Sequence, residues 1–401
     1  MKVSGLDIHK DTIFCGIYDG KVQSDVKEFT TLTPDINSLG EYLQEQGVKK
    51  VAMESTGIYW IPIWNILEAM GFELMLVNPF LIKQMPGRKS DVKDAQWISE
   101  LLHKGLLRGS LIPDERIREL RTYTRRYVKL TQRQTNLLQA MERNLEKCSI
   151  RVSSYLSNLS GKTFINIVKL VVSGEDNPEV LLKKVHGRIR NKHGKEKILA
   201  SLTGFITEHH RFILEQLLEE YELISSQIEK TFSKMEDMVD EHYSEEKALL
   251  CTIPGISTKS AIIILAETGA DMSAFETSSK FSGWTGLRPR NDESAGKYKS
   301  TATTKGNRFI RSVLVQVAWA STRSKGSYFK EKFQKLVIRK SRKKALIAIA
   351  RKIGVVIWNV LSKKESFNPN KLPVYDPVKL KAKQAYHQKE SEKLSKLLKN
   401  A

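Results

Sequence analysis

Four acidic residues stand where carboxylates can act together. Asp7 ends the first apolar run of the chain in GLDIHK, and Glu54 ends VAMEST in the same manner. If both runs are strands of one sheet, the two carboxylates leave it at the same edge. Asp91 and Asp94 in KSDVKDAQW are three residues apart at a helix start, which places them on one helical face. Like charges gathered this way raise one another's pKa unless cations neutralise them. A convergent set therefore predicts hard divalent cations, magnesium with manganese as a substitute. Two such ions about 4 Å apart suit phosphodiester cleavage. The alternative for Asp91 and Asp94 is to cap the helix and complement its dipole. Glu54 is harder to dismiss, because a glutamate ending an apolar strand is poorly explained by packing or propensity. Asp11 competes with Asp7 for the same strand face but reads better as a turn residue.

A second candidate is Ser294 in NDESAGKYKS, next to Gly296 and close to Lys297 and Lys299. Small neighbours and a cationic field would let a phosphate approach its hydroxyl. No adjacent His or Asp offers a base, so a polar residue in a phosphate-contacting turn is the competing reading. Lys305, Arg308, Arg311, Arg342, Lys343, Lys344, Arg351 and Lys352 suit phosphate contacts, with solvated helix faces as the alternative. Gly255, in the tight turn of TIPGIS between two apolar helical stretches, resembles the turn of a helix-hairpin-helix, which offers backbone amides to a DNA phosphate. The histidines form no metal constellation: His209 and His210 are adjacent, and His9 and His103 are isolated. The six tryptophans fall mostly on apolar helical patterns and read as core.

These residues need elements to position them. Residues 1–112 alternate strands and helices in a β-β-β-α-β-α-β-α order, predicting an α/β domain with a mixed sheet and ligands at the carboxyl ends of its strands. From Glu115, apolar residues recur every three or four positions for about thirty residues, among them Ile117, Leu120, Leu137 and Leu145, predicting one long amphipathic helix. A second such helix is expected over about 206–243, with Phe212, Leu217 and Tyr221 on its apolar face. The pair predicts an antiparallel coiled-coil arm or dimerisation element over 113–248. A mostly α domain follows over 249–365, then a basic tail over 366–401 expected to lack regular structure.

Charge separates these regions. The 401 residues hold 66 Lys and Arg against 45 Asp and Glu, for +21. Residues 281–401 alone hold 29 and 7, leaving the first 280 near neutrality. One cationic third argues for a polyanion partner, most often nucleic acid. The sequence has no apolar run of membrane-spanning length and no secretory leader pattern, so a cytosolic, nucleoid-associated protein without a membrane partner is expected. Three cysteines more than a hundred residues apart make neither a disulfide framework nor a zinc site, and each is expected to be a buried, reduced thiol.

Taken together, GLDIHK, MESTGIYW, VNP, GRKSDVKDAQWI, TIPGIS and NDESAGK…TTKGN resemble the insertion-sequence-110 family of transposases, over about residues 1–362. The resemblance implies a RuvC-like, RNase-H-like first domain binding two magnesium ions through Asp7, Glu54, Asp91 and Asp94. It implies that Ser294 is the nucleophile that becomes covalently linked to DNA, with the acids of a partner subunit completing a composite site. It further implies donor and target DNA as substrates, a structured noncoding guide RNA, and a homo-oligomer built from dimers to a tetramer. Two other classes stay open. In a metal-dependent nuclease resembling a Holliday-junction resolvase, Ser294 would be incidental; a non-enzymatic nucleic-acid-binding protein would cleave no strand with any metal.

Overall fold

A computed structural model of the chain divides into two compact units, residues 1–113 and 114–401. It describes residues 1–55, 57–78, 91–290, 292–294, 297–300, 302–371 and 377–399, and their side chains except at 91–92, 292–294, 297–299, 371, 377–383 and 396–399.

In the first unit, β1 (Val3–Ile8), β2 (Thr12–Tyr18) and β3 (Lys27–Thr30) form an antiparallel meander. Then come α1 (Thr33–Glu45), β4 (Lys50–Glu54), α2 (Trp60–Ala69), β5 (Glu73–Val77) and α3 (Asp91–His103). The sheet order is β3-β2-β1-β4-β5, with β4 parallel to β1 and β5 parallel to β4. Parallel neighbours need crossovers, which α1 and α2 supply. The mixed sheet and its element order agree with the expectation from sequence.

Strand alternation sorts the residues between two faces. Leu6, Ile8, Ile13 and Ile17 pack with Leu39 and Ile63 under α1 and α2. Val3 and Ala52 face the other way and pack with Ile98 and Leu102 of α3. Gly5 and Gly16 are paired across β1 and β2 on that second face. A Cβ at Gly5 would lie 2.4 Å from the Ala95 carbonyl oxygen and 2.4 Å from the Ser99 nitrogen. The two glycines thus form the bed on which α3 lies, and Ala95 is its contact point.

The second unit is built on two long helices, α4 (Glu115–Lys147) and α9 (Glu208–His242). Asp114 caps α4 by accepting from the Ile117 amide at 3.0 Å. The helices run antiparallel: Gln134 donates to Ser225 Oγ at 2.8 Å, and the Tyr127 ring lies 5.8 Å from Phe232. Their buried stripe departs from the expected one at one end. There Leu138 replaces Leu137, and Leu214 and Leu218 replace Phe212 and Leu217. The cause is a small helical cap of α5 (Lys162–Val172), α6 (Pro178–Lys184), α7 (Gly187–His193) and α8 (Lys195–Leu202), whose core draws those leucines around the helix.

Beyond α9 follow α10 (Ser244–Cys251), α11 (Thr258–Thr268), α12 (Ser278–Trp284), the ribbon β6 (Asp292–Ser294) and β7 (Lys297–Ser300), then α13 (Arg308–Arg323), α14 (Tyr328–Val337) and α15 (Arg342–Lys363). By composition α15 is long and apolar enough to cross a bilayer, yet more than half of it is buried within the unit. The tail, expected without regular structure, instead carries α16 (Pro377–Lys399), whose described side chains at 384–395 are all exposed. Its Lys, Ala, Glu and Leu residues are strong helix formers, so local propensity accounts for it. Cys15 and Cys148 are buried as expected, whereas Cys251 is exposed.

Candidate active site

Asp7 and Glu54 lie one residue beyond the Leu6–Met53 pair of parallel strands β1 and β4. They are therefore lateral neighbours at the carboxyl ends of the strands, on strands about 4.8 Å apart. Both follow by two positions a residue that faces α3, Gly5 and Ala52 respectively, so both belong to the α3 face. Asp94 immediately precedes Ala95, the point where α3 touches the sheet. Asp91 opens that helix one turn earlier, and its side chain lies outside the described residues. Asp7 is 5% exposed, and Glu54 and Asp94 are half-buried. Asp11 is exposed in the β1–β2 turn, where its carbonyl accepts from Thr31.

The isolated His9 of the sequence reading is not isolated: its Nε2 lies 3.2 Å from Asp7 Oδ2. Two residues beyond Asp7, it extends the same strand face, and that spacing was the available signal. Among the described residues, no three His, Cys, Asp or Glu side chains close to metal-ligand spacing. Asp7, Glu54 and Asp94 are thus gathered on one face of one sheet edge without forming a closed cage.

Ser294 ends β6, paired with Lys297 of β7, so a two-stranded ribbon stands where a loop was expected. Gly296 and the side chains of Ser294, Lys297 and Lys299 lie outside the described residues. The base of the ribbon is well defined: Arg290 donates its amide to Ala302 and Thr304 to Arg288. There Gly286 and Gly306 cross so closely that a Cβ on Gly306 would lie 2.4 Å from the Gly286 nitrogen. Gly286 of GWTGL and Gly306 of TTKGN are explained by this crossing.

Below the crossing lies a residue that sequence reasoning missed. Glu267, at the end of the apolar run of α11, is fully buried. Arg125 donates to its two carboxylate oxygens at 3.0 Å each, and Asn307 donates to Oε2 at 2.6 Å. Arg121 donates to the Ala266 and Glu267 carbonyls at 3.0 and 2.9 Å; burial pulls its pKa below the ordinary arginine value, with Glu267 opposing. Asn307 also caps α13 by accepting from the Phe309 and Ile310 amides. This node ties α4 and α11 to the foot of the serine ribbon.

The expected cations divide. Lys305 and Arg308 are exposed at the ribbon foot and the start of α13, and Arg311 is half-buried one turn on. Arg342, Lys343 and Lys344 are exposed in the first turn of α15, the end at which a helix dipole disfavours positive charge. Arg351 and Lys352 are half-buried, and burial followed by the neighbouring Lys332 pulls the Lys352 pKa down. Gly255 has a packing reason: with φ +93°, it lies against α13, and a Cβ there would be 2.6 Å from the Ser321 nitrogen.

Two family models match the chain. A model of DEDD-type IS110 transposases, described as transposase, covers residues 4–150, and one described as transposase of the IS116/IS110/IS902 family covers 247–334. A probable family 20 transposase of Pseudomonas aeruginosa is 23% identical over 80% of this chain and 86% of its own length. The transposase for insertion sequence element IS1111A of Coxiella burnetii is 23% identical over 92% and 91%. Among solved structures, Thermus thermophilus RuvC in complex with a Holliday junction substrate is 14% identical, with a TM-score of 0.21, over 27% of this chain and 99% of that one. With both domain models in order along the sequence, the chain belongs to the IS110/IS116 family of transposases.

Proposed function

We propose that this transposase cuts and rejoins donor and target DNA strands with Ser294 as nucleophile and the acidic sheet edge as its metal site. The observation that carries the reading is the lateral pairing of Asp7 and Glu54 at the ends of parallel strands, beneath a helix that brings Asp94 to the same face. The first unit is read as RNase-H-like on its sheet order, three antiparallel strands followed by two parallel ones.

The donor set at this edge is all carboxylate oxygen, which fits hard divalent cations. Asp7, Glu54, Asp91 and Asp94 would hold them, as two magnesium ions. When bound, such ions supply charge stabilisation to a phosphodiester under attack. The Ser294 hydroxyl oxygen forms a bond to backbone phosphorus while one strand oxygen leaves. The serine proton passes to solvent and the departing oxygen takes one up, giving a free hydroxyl and a phosphoserine ester. Attack by a hydroxyl of another strand reverses these bonds and releases the serine. Acids and serine lie on different units of the chain, which is compatible with a composite site in which each comes from a different subunit of a tetramer. The exposed cations at Lys305, Arg308 and the start of α15 suit phosphate backbones, those of DNA and of a structured guide RNA alike.

The test combines purified protein, magnesium, RNA transcribed from the element's flanks, and labelled donor and target DNA, read on a denaturing gel for protein covalently bound to DNA. Wild type should give an adduct that Ser294→Ala and Glu54→Ala both abolish. Metal-dependent cleavage without an adduct, unaffected by Ser294→Ala, would establish the nuclease reading instead.

A further inference from the structure

The near-neutral charge of the first 280 residues conceals a local reversal. Residues 183–197, KKVHGRIRNKHGKEK, hold seven Lys or Arg and one Glu. They form the end of α6, all of α7 and the start of α8, in the cap that closes one end of the long helix pair. By contrast α9 carries ten acids and three Lys or Arg, so its charge offsets the cap's in any sum over the chain.

We infer that this cap surface is a second nucleic-acid-binding site, taking the phosphodiester backbone of DNA or RNA. Lys183, Lys184, Arg188, Lys192, Lys195 and Lys197 are all exposed. They project from a rigid base, since Leu181, Leu182, Val185, Ile198 and Leu202 between them are buried in the cap core. Glu179 lies 3.8 Å from Lys195, and among the described residues the other exposed cations of the group make no ion pair. Arg190 is half-buried and its Nε is enclosed, so the six exposed cations make the surface. α7 buries no residue fully, and Ile189 packs partly against the cap core, which leaves its Arg and Lys side chains on the outer face.

The site is remote from the serine ribbon. From Arg125, at the Glu267 node, α4 runs 22 residues to Lys147 beside the cap, about 33 Å at 1.5 Å per residue. A backbone held at both ends of the helix pair would be bridged over that distance. Binding here would add affinity and set orientation without touching the reacting strand.

The test is the salt dependence of binding by the full chain, measured by fluorescence anisotropy on a duplex DNA and on a single-stranded RNA of equal length. Arg188→Ala/Lys192→Ala/Lys197→Ala should lower the slope of log K against log salt by about 2.7 on duplex, or about 2 on the single strand. Lys230→Ala/Lys234→Ala, exposed on α9, should leave both slopes unchanged. A fall on one polymer alone assigns the surface to it, and a fall on both assigns it to either backbone. Arg188→Glu, a single change at an exposed position, should move the slope the same way by at least about 1. Unchanged slopes on both polymers overturn the inference. So would an unchanged slope with a shift in sedimentation, which would make the cap a protein interface.

Discussion

Glu54 and Glu267 look alike in sequence, each ending an apolar run, VAME and AIIILAE. Their surroundings are opposite. Glu267 is fully buried and receives a bidentate Arg125, Asn307 and a neighbouring Arg121, so its charge is closed within the fold. Glu54 sits beside another carboxylate, Asp7, at the edge of a sheet whose covering helix brings a third acid to the same face. A glutamate surrounded by guanidinium groups is a joint between helices. Acids gathered at the ends of parallel strands are costly to the fold, and they make sense where an external cation offsets the repulsion.

The contrast predicts opposite phenotypes. Glu54→Gln should lower strand cleavage by at least about 1000-fold, about 4 kcal/mol in transition-state terms. It should leave the urea midpoint equal or slightly raised, because one of several like charges is gone. Activity within a few-fold of wild type would make Glu54 another structural carboxylate. Glu267→Gln should do the reverse, costing about 3 kcal/mol of stability by leaving Arg125 half-buried without its counter-charge. A midpoint unchanged by that substitution would mean the node contributes nothing that a neutral amide cannot.

A smaller effect sharpens the role of the joint. Asn307 both donates to Glu267 and caps α13, and Asn307→Ala removes both at about 1 to 2 kcal/mol. Since its amide also donates to the Trp284 carbonyl beside the Gly286–Gly306 crossing, amide exchange should accelerate first at 284–307. Uniform acceleration across the unit would show that the node does not act on the ribbon foot in particular.

Strand ends and helical periods were legible in sequence because local rules govern them. Asp7 and Glu54 announced themselves as acids closing apolar runs, and the start of α4 at Glu115 followed from the apolar repeat that begins at Ile117. What stayed hidden depends on residues far apart. The stripe slips to Leu138 and Leu214 because the cap between the long helices draws them in, a packing event that helical period does not encode. His9 was set aside for lack of a second histidine, although the strand's two-residue repeat put it beside Asp7. Glu267 carried the very signal used for Glu54, and only the tertiary partners Arg125 and Asn307 distinguish them. The cationic cap vanished in a charge total because the acids of α9 offset it.

The gentlest prediction bears most directly on the acid edge. If the carboxylates of Asp7 and Glu54 repel one another in the free protein, a cation that binds there must stabilise the first unit. At ten times its dissociation constant, magnesium should add about 1.4 kcal/mol to that unit's unfolding free energy. Calorimetry should register this as a rise of a few degrees in one transition. Glu54→Gln should abolish the rise, since it removes a ligand and part of the repulsion together. Glu267→Gln should lower the second unit's transition and leave the magnesium shift intact, because its carboxylate is already satisfied by arginine. A magnesium shift that survives Glu54→Gln would place the cation elsewhere and remove the reason for reading the two glutamates differently.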